Sequence, residues 1–124
     1  MYLLDTHVFL WFLSDDLKLK ESAKNTIADK ANPVFVSAAT IWEISIKAKL
    51  KKLKVPKNIE EYIAKSGFED LSVSSVHASK TRNLPLYHRD PFDRMLISQA
   101  TLDNLTIITH DKIFKKYTKN IVLV

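Results

Sequence analysis

Short apolar runs recur along the chain, and each has the length of a strand rather than of a helix. Runs of this kind, bounded by turn-forming residues, are typical of strands that are buried on both faces of a parallel sheet. They occupy residues 2–4, 33–36, 68–73, 105–108 and 121–124. The pattern therefore predicts a central sheet of four to five strands.

Between these runs the apolar residues recur at helical spacing. Helices are predicted over residues 8–13, 20–30, 38–50, 58–64 and 76–82, and from residue 91 onwards, with Ser37 as an N-cap and Gly67 as a C-terminal stop. Strands that alternate with helices predict an α/β fold, a parallel central sheet flanked by helices on both faces. A length of 124 residues suits one domain, residues 1–124.

The helix over residues 38–50 carries an apolar stripe with an acid beside it. Ala39, Trp42, Ile46 and Leu50 fall on one face, which we expect to be buried, and Glu43 lies at its edge. A carboxylate that close to a core must be paired, hydrogen-bonded or bound to a cation. Pairing with Lys47 at i+4 and a functional role both remain open.

The helix that begins at Pro91 brings two acids to its first turn. Proline is well tolerated at the first helical position, so Asp90 is the predicted N-cap and Asp93 the third helical residue. Capping and the helix dipole alone would explain both acids. The helix also has an apolar face, formed by Phe92, Met95, Leu96 and Ala100.

Composition excludes several classes of site. The chain has no cysteine, which rules out a disulfide framework and a thiolate zinc site. With a single glycine, Gly67, it cannot build a phosphate-binding glycine loop or a dinucleotide fingerprint. No apolar run is long enough to span a membrane and the first residues do not resemble a signal peptide, so we expect a cytoplasmic protein.

The net charge of +5 favours an acidic or polyanionic partner. Six lysines crowd the end of the helix over residues 38–50 and the segment after it, and a solvated helix end explains them better than phosphate contacts do. The candidates for weak RNA contacts are Lys47, Lys49, Lys51, Lys52, Arg89 and Arg94.

Two further acids follow predicted strands directly. Asp5 ends the first apolar run, and Asp111 follows the run at residues 105–108. Ligands of open parallel sheets bind beyond the carboxyl ends of the strands, although a turn or capping role would also explain Asp5. If Asp5, Glu43, Asp93 and Asp111 converge, their repulsion calls for a divalent cation. Carboxylate oxygens select Mg²⁺ or Mn²⁺, a setting suited to phosphodiester hydrolysis.

Four segments together resemble the PIN-domain ribonucleases, specifically the VapC-type toxins. They are Leu3-Leu4-Asp5-Thr6-His7, Trp42-Glu43-Ile44, His88-Arg89-Asp90-Pro91-Phe92-Asp93-Arg94 and Thr109-His110-Asp111. The resemblance implies a PIN-like fold and an Mg²⁺- or Mn²⁺-dependent endoribonuclease. It also implies a homodimer that is silenced by an antitoxin whose tail enters the active-site groove.

Matched residue by residue, the resemblance assigns catalysis to Asp5, Glu43, Asp93 and Asp111. Metal binding falls to Asp5, Asp93 and Asp111, and supporting roles fall to Thr6, Asp90 and Thr109. Structural or surface roles are favoured for His7, His88 and His110 over metal ligation or phosphate contact.

Two alternatives belong to other functional classes. A PIN-like module could bind nucleic acid or a partner without cleaving it. A magnesium-binding receiver domain of a signalling protein has similar length and topology, but it requires an acidic pair after the first strand. Here Asp5 is followed by Thr6.

Overall fold

The computed structural model describes the whole chain from residue 1 to residue 124, and its five strands form one parallel sheet. The strands are β1 (Tyr2–Leu4), β2 (Val34–Ser37), β3 (Glu69–Leu71), β4 (Thr106–Thr109) and β5 (Ile121–Leu123). Their order across the sheet is β3-β2-β1-β4-β5. The predicted fold class, a parallel sheet of four to five strands between helices, is confirmed.

All six predicted helices are present, with shifted ends. They are α1 (Thr6–Leu13), α2 (Glu21–Ala28), α3 (Ala38–Lys49), α4 (Glu61–Lys65), α5 (Ser75–Lys80) and α6 (Pro91–Asp103). The helix predicted from residue 58 begins three residues later, and the one predicted to reach residue 82 continues as a 3₁₀ turn, Thr81–Asn83. A second 3₁₀ helix, Lys112–Lys116, was not predicted.

Helices cover both faces of the sheet. Because neighbouring strand residues point to opposite sides, a single strand supplies apolar side chains to both layers of helices. Leu4 packs with α1 residues Val8 and Phe9 in one apolar cluster. Leu3 packs with α6 residues Leu96 and Ile97 in the other. α6 is buried all round from Leu96 to Ala100, as expected for a helix in the interior of the fold.

The prediction that the apolar stripe of α3 is buried is wrong. Trp42 is 64% exposed and Leu50 58% exposed, and only Ala39 of that stripe is buried. The buried face is the adjacent stripe, which contains Thr40, Glu43 and Ile44. The four apolar residues do share one face of α3, as their spacing predicts. The helix is rotated, however, so that Thr40 and Glu43 face α1 and the apolar face is largely exposed.

The strand order reverses between β1 and β4. From β1 the chain builds outward through β2 to β3, and it then returns to the other side of β1 with β4 and β5. At such a reversal the connections leave the two central strands in opposite directions, which opens a crevice at their carboxyl ends. Asp5 follows β1 and Asp111 follows β4, so both acids lie at this crevice. None of the helices combines the length and the apolar character that crossing a bilayer requires.

Candidate active site

Two hydrogen bonds hold the carboxylate of Asp5 at the carboxyl end of β1. It is 4% exposed, and its Oδ1 accepts a hydrogen bond from the Val8 backbone N–H at 2.8 Å, which makes it the N-cap of α1. Its Oδ2 accepts from the Thr109 hydroxyl. The same hydroxyl accepts from the Asp111 backbone N–H at 3.0 Å, so Thr109 links the ends of β1 and β4.

Asp90 and Asp93 occupy the start of α6 as the sequence predicted. Asp90 Oδ1 accepts from the backbone N–H groups of Phe92 and Asp93, at 2.8 and 3.1 Å, and Pro91 is the first helical residue. Asp111 likewise caps the 3₁₀ helix that follows it, through Ile113 N–H at 2.9 Å. Capping therefore fixes Asp5, Asp90 and Asp111 at the starts of α1, α6 and the 3₁₀ helix.

Three of the four predicted catalytic acids line one hollow of about 360 Å³. Asp5, Asp93 and Asp111 contribute to its wall, and its other lining residues are His7, Trp11 and His110. The indole ring of Trp11 packs against both imidazole rings, at centroid distances of 6.0 and 5.4 Å. The lining of this hollow thus combines three carboxylates with three aromatic rings.

Glu43 is not part of the wall of the hollow, but it is connected to the same site through Thr6. The Thr6 hydroxyl donates to Glu43 Oε1 at 2.6 Å, and Lys47 Nζ donates to Glu43 Oε2 at 2.6 Å. Both carboxylate oxygens therefore have partners from the chain. The i+4 pair that the sequence left open is formed, although a carboxylate that is 4% exposed is not an ordinary surface partner.

His88, for which the sequence favours a structural or surface role, contacts two acids of the site. Its Nε2 lies 2.9 Å from Oδ2 of Asp93 and 2.9 Å from Oδ2 of Asp111. Its Nδ1 accepts from the Asp90 backbone N–H at 3.3 Å, which places the ring proton on Nε2, facing the two carboxylates. The imidazole therefore acts as a donor that ties Asp93 to Asp111.

The loop before α6 is built to hold His88 in that position. The Tyr117 hydroxyl accepts from His88 N–H at 2.7 Å and donates to the Pro85 carbonyl at 2.6 Å. The Arg94 guanidinium donates to four backbone carbonyls between residues 81 and 88. Arg94, Tyr117 and His88 are connected only through this loop, which is neither helix nor strand. Their contacts therefore leave no helical or strand periodicity in the sequence. The spacing His88-Arg89-Asp90 was the one available sign.

The predicted RNA-contact residues divide into two groups. The cationic groups of Lys47 and Arg94 are taken by Glu43 and by the loop carbonyls. The side chains of Lys49, Lys51, Lys52 and Arg89 are exposed, and Arg89 lies on the apolar surface beside Trp42. Only the second group is free in this structure to meet a phosphate.

Burial and mutual repulsion make ionisation of the acids costly. Burial and the neighbouring Asp90 carboxylate raise the pKa of Asp93 to about 7, against the opposing effect of His88. Burial also raises the pKa of Asp5, although its hydrogen bonds to Thr109 and Val8 favour the ionised form. Two carboxyls with raised pKa values at one hollow form an uncompensated acidic site.

The donor set of this hollow fits a hard divalent cation. Asp5, Asp93 and Asp111 offer carboxylate oxygens, and ligand oxygens of Asp93 and Asp111 lie within 4.8 Å of each other. A cation would relieve the repulsion that raises the pKa of Asp93. The oxygen ligands favour Mg²⁺ or Mn²⁺, and the imidazole N–H of His88 would hold the carboxylates of Asp93 and Asp111 in place.

Comparison with known proteins identifies the same family over nearly the whole chain. The profile of the PIN domain matches residues 2–120. No curated relative matches the chain at the level of sequence.

Solved structures of similar fold include VapBC2 from Rickettsia felis, bound to a DNA fragment from its promoter. This chain matches it with 19% identity and a TM-score of 0.71, over 99% of this chain and 96% of that one. A toxin–antitoxin complex from Klebsiella pneumoniae matches with 22% identity and a TM-score of 0.64, over 98% and 96%. A Pyrobaculum aerophilum protein matches with 17% identity and a TM-score of 0.60, over 99% and 88%. At these identities the comparison concerns the fold.

Proposed function

The chain belongs to the PIN domain family, and from this premise we propose that it is a metal-dependent endoribonuclease, the toxin of a toxin–antitoxin pair. The observation that carries the proposal is the convergence of Asp5, Asp93 and Asp111 on one hollow at the reversal of the strand order. The sheet topology accounts for the meeting of Asp5 and Asp111, whereas Asp93 comes from α6 and adds a third acid whose pKa is raised to about 7. RNA and an antitoxin are both met in the cytoplasm, which is the compartment we propose.

In this proposal Asp5, Asp93 and Asp111 would hold Mg²⁺ or Mn²⁺. A bound ion of this kind supplies a water of lowered pKa and an electrophilic contact for the phosphate. Thr109 orients the carboxylate of Asp5 and accepts from the backbone N–H of Asp111, and His88 orients the carboxylates of Asp93 and Asp111. Thr6 and Glu43 would support the edge of the site, and the exposed cations Lys49, Lys51, Lys52 and Arg89 would attract the RNA backbone.

An apolar groove beside the acidic hollow supports an antitoxin partner. It is lined by α1 and by residues 53–62, including Leu10, Leu53 and Tyr62, and it shares His7 and Trp11 with the hollow. A partner segment with apolar side chains followed by a cationic side chain would place the apolar side chains in the groove and the cationic side chain in the acidic hollow. The Klebsiella pneumoniae structure of similar fold is a toxin–antitoxin complex, which fits this proposal.

The exposed stripe of α3 supports a homodimer. Trp42 packs edge-on against Phe92, at a ring-centroid distance of 5.2 Å, beside a largely apolar hollow of about 520 Å³ that includes Val73 and Met95. Exposed aromatic clusters of this size are typical of protein interfaces. We expect light scattering to give the mass of a dimer for the chain and that of a monomer for Trp42→Glu. The control is Leu17→Glu, a position that is 92% exposed on another surface.

The test of the toxin proposal is brief induced expression in bacteria, followed by sequencing of the new RNA ends. We expect growth arrest and defined cleavage ends with the parent chain, and neither with Asp5→Asn, because an asparagine still caps α1 but is a poor metal ligand. Asp70→Asn is the matched control, since Asp70 is exposed on β3, and it should behave like the parent.

The same experiment separates the alternative, a PIN-like module that binds without cleaving. Such a module would give identical RNA ends for the parent and for Asp5→Asn, even if RNA binding were measured. That result would overturn the nuclease proposal.

A further inference from the structure

Lys47 brings a positive charge to the edge of the acidic site from the last turns of α3. Its side chain is 40% exposed, whereas the side chain of its partner Glu43 is 5% exposed, and their N···O distance is 2.6 Å. The long aliphatic stem thus spans the distance from the surface to a buried carboxylate.

The charge of Glu43 is compensated by the chain itself. Oε1 accepts from the Thr6 hydroxyl and Oε2 from the Lys47 ammonium, each at 2.6 Å. A buried carboxylate with a charged partner and a hydroxyl donor has no need of a further cation. Asp93 differs, because its nearest charged neighbours include other carboxylates.

Lys47 also acts on the rest of the site. The hydrogen bond to Glu43, together with the charges of Glu43, Asp90 and Asp93, raises the pKa of Lys47, so its ammonium stays charged at neutral pH. A divalent cation placed next to Glu43 would compete with this ammonium for the same oxygen and would be repelled by it.

We propose that Lys47 takes the place of a second divalent cation, so that the centre binds one ion per chain, held by Asp5, Asp93 and Asp111. This inference rests on the metal-dependent function proposed above. It specifies the number of ions in that function. In a one-ion centre the charge beside Glu43 is the Lys47 ammonium, which is part of the chain and cannot dissociate from it as a metal ion can.

The test counts Mn²⁺ ions per chain by calorimetric titration and by native mass spectrometry, at about pH 7.5, where exposed carboxylates are ionised. We expect one ion for the parent chain and for Lys47→Arg, which keeps the charge. We expect two for Lys47→Met, which keeps the stem but frees the oxygen of Glu43. The double variant Lys47→Met with Glu43→Gln should return to one.

A second readout places the extra ion. Two Mn²⁺ ions a few ångströms apart broaden each other's electron paramagnetic resonance lines, so Lys47→Met saturated with Mn²⁺ should give a broadened spectrum and the parent chain a narrow one. Thermal denaturation checks that every variant is folded, and without metal Lys47→Met should melt at a lower temperature than Lys47→Arg, because it leaves the buried Glu43 carboxylate without its charged partner.

Each outcome has a distinct meaning. Two ions on the parent chain, or one on Lys47→Met, overturn the role of Lys47 and leave the nuclease proposal intact. No ion on the parent chain overturns the metal-dependent function itself, and the Lys47 inference with it. If Lys47 were only a surface helix pair, the variants would bind the same number of ions as the parent.

Discussion

The site has two halves, one around Glu43 and one around His88, and they differ in how the negative charge of their carboxylates is compensated. In the Glu43 half, a hydroxyl and an ammonium satisfy both oxygens of one buried carboxylate. In the His88 half, one imidazole N–H is shared between Asp93 and Asp111 while Asp90 adds a third acid nearby. Only in the second half does a carboxyl pKa rise to about 7.

The difference indicates where a cation would be bound. A compensated carboxylate contributes to stability and to positioning, because removing its partner would leave a buried charge alone. An uncompensated group of acids costs free energy in the folded protein and recovers it when a divalent ion binds. This contrast supports the proposal that the His88 half binds the ion and that the Glu43 half supports it.

The largest effect should come from removing an acid of the His88 half. We expect Asp93→Asn to lower the rate of RNA cleavage about 100- to 1000-fold, as loss of a principal electrostatic contact does in other enzymes. Its free energy of unfolding without metal should stay equal or rise, since repulsion with Asp90 is relieved. Cleavage assays and denaturant unfolding check this, with Asp70→Asn as control. An active Asp93→Asn chain would contradict the comparison.

The second effect is a pH dependence of metal binding. Because the pKa of Asp93 is about 7, Mn²⁺ must displace a proton below that pH, and its affinity should fall about tenfold per pH unit from pH 7 to pH 5. Asp93→Asn has no proton to displace at this position, so its profile should be shallower, with the remaining dependence due to Asp5, whose pKa is also raised by burial. A profile shared by the parent and the variant would show that another group titrates.

Without metal, the stability of the folded chain should change with pH in the opposite direction to the metal affinity. A carboxyl whose pKa is higher in the folded chain than in the unfolded one binds its proton more tightly when folded. This contribution is complete below about pH 4 and is lost as the pH rises through 7. We therefore expect the metal-free melting temperature to fall over that range relative to Asp93→Asn, and added Mn²⁺ to reverse the fall.

A smaller effect should come from the imidazole that joins the two acids. His88→Ala should weaken Mn²⁺ binding about 10- to 100-fold, the range found when residues that orient metal ligands are removed. His88→Gln keeps an N–H donor and should recover part of the loss. Calorimetric titration measures both variants. Equal affinity in His88→Ala and in the parent chain would mean that Asp93 and Asp111 need no positioning.

The smallest effect belongs to the Glu43 half. Thr6→Val keeps the shape of the side chain but removes the donor to Glu43, so the free energy of unfolding should fall by about 1–3 kcal/mol. Thr6→Ser keeps the hydroxyl and should lose less. Mn²⁺ affinity should change little in either variant, and a large loss of affinity would mean that this half also holds the ion.

The sequence predicted the features that depend on neighbouring residues. Asp90 caps α6 through backbone groups two and three residues away, as Pro91 predicts, and Asp5 and Asp111 lie at strand exits, as the apolar runs predict. For Asp5 a capping role was one of two left open, and the 3₁₀ helix that Asp111 caps was not predicted. The alternation of strands and helices likewise implied a parallel sheet, and a parallel sheet implied acids at its carboxyl edge. The fold class and three acids of the hollow followed from local pattern.

The tertiary structure alone decided which surfaces meet. The rotation of α3 buries Glu43 against Thr6, 37 residues away, and leaves Trp42 outside. His88 meets Asp111 across 23 residues because Arg94 and Tyr117 hold its loop. A helical stripe records which side chains share a face, but not what covers that face. The pair of Glu43 with Lys47 is local, but the burial of Glu43 against Thr6 and the contact of His88 with Asp111 form only when distant segments pack together.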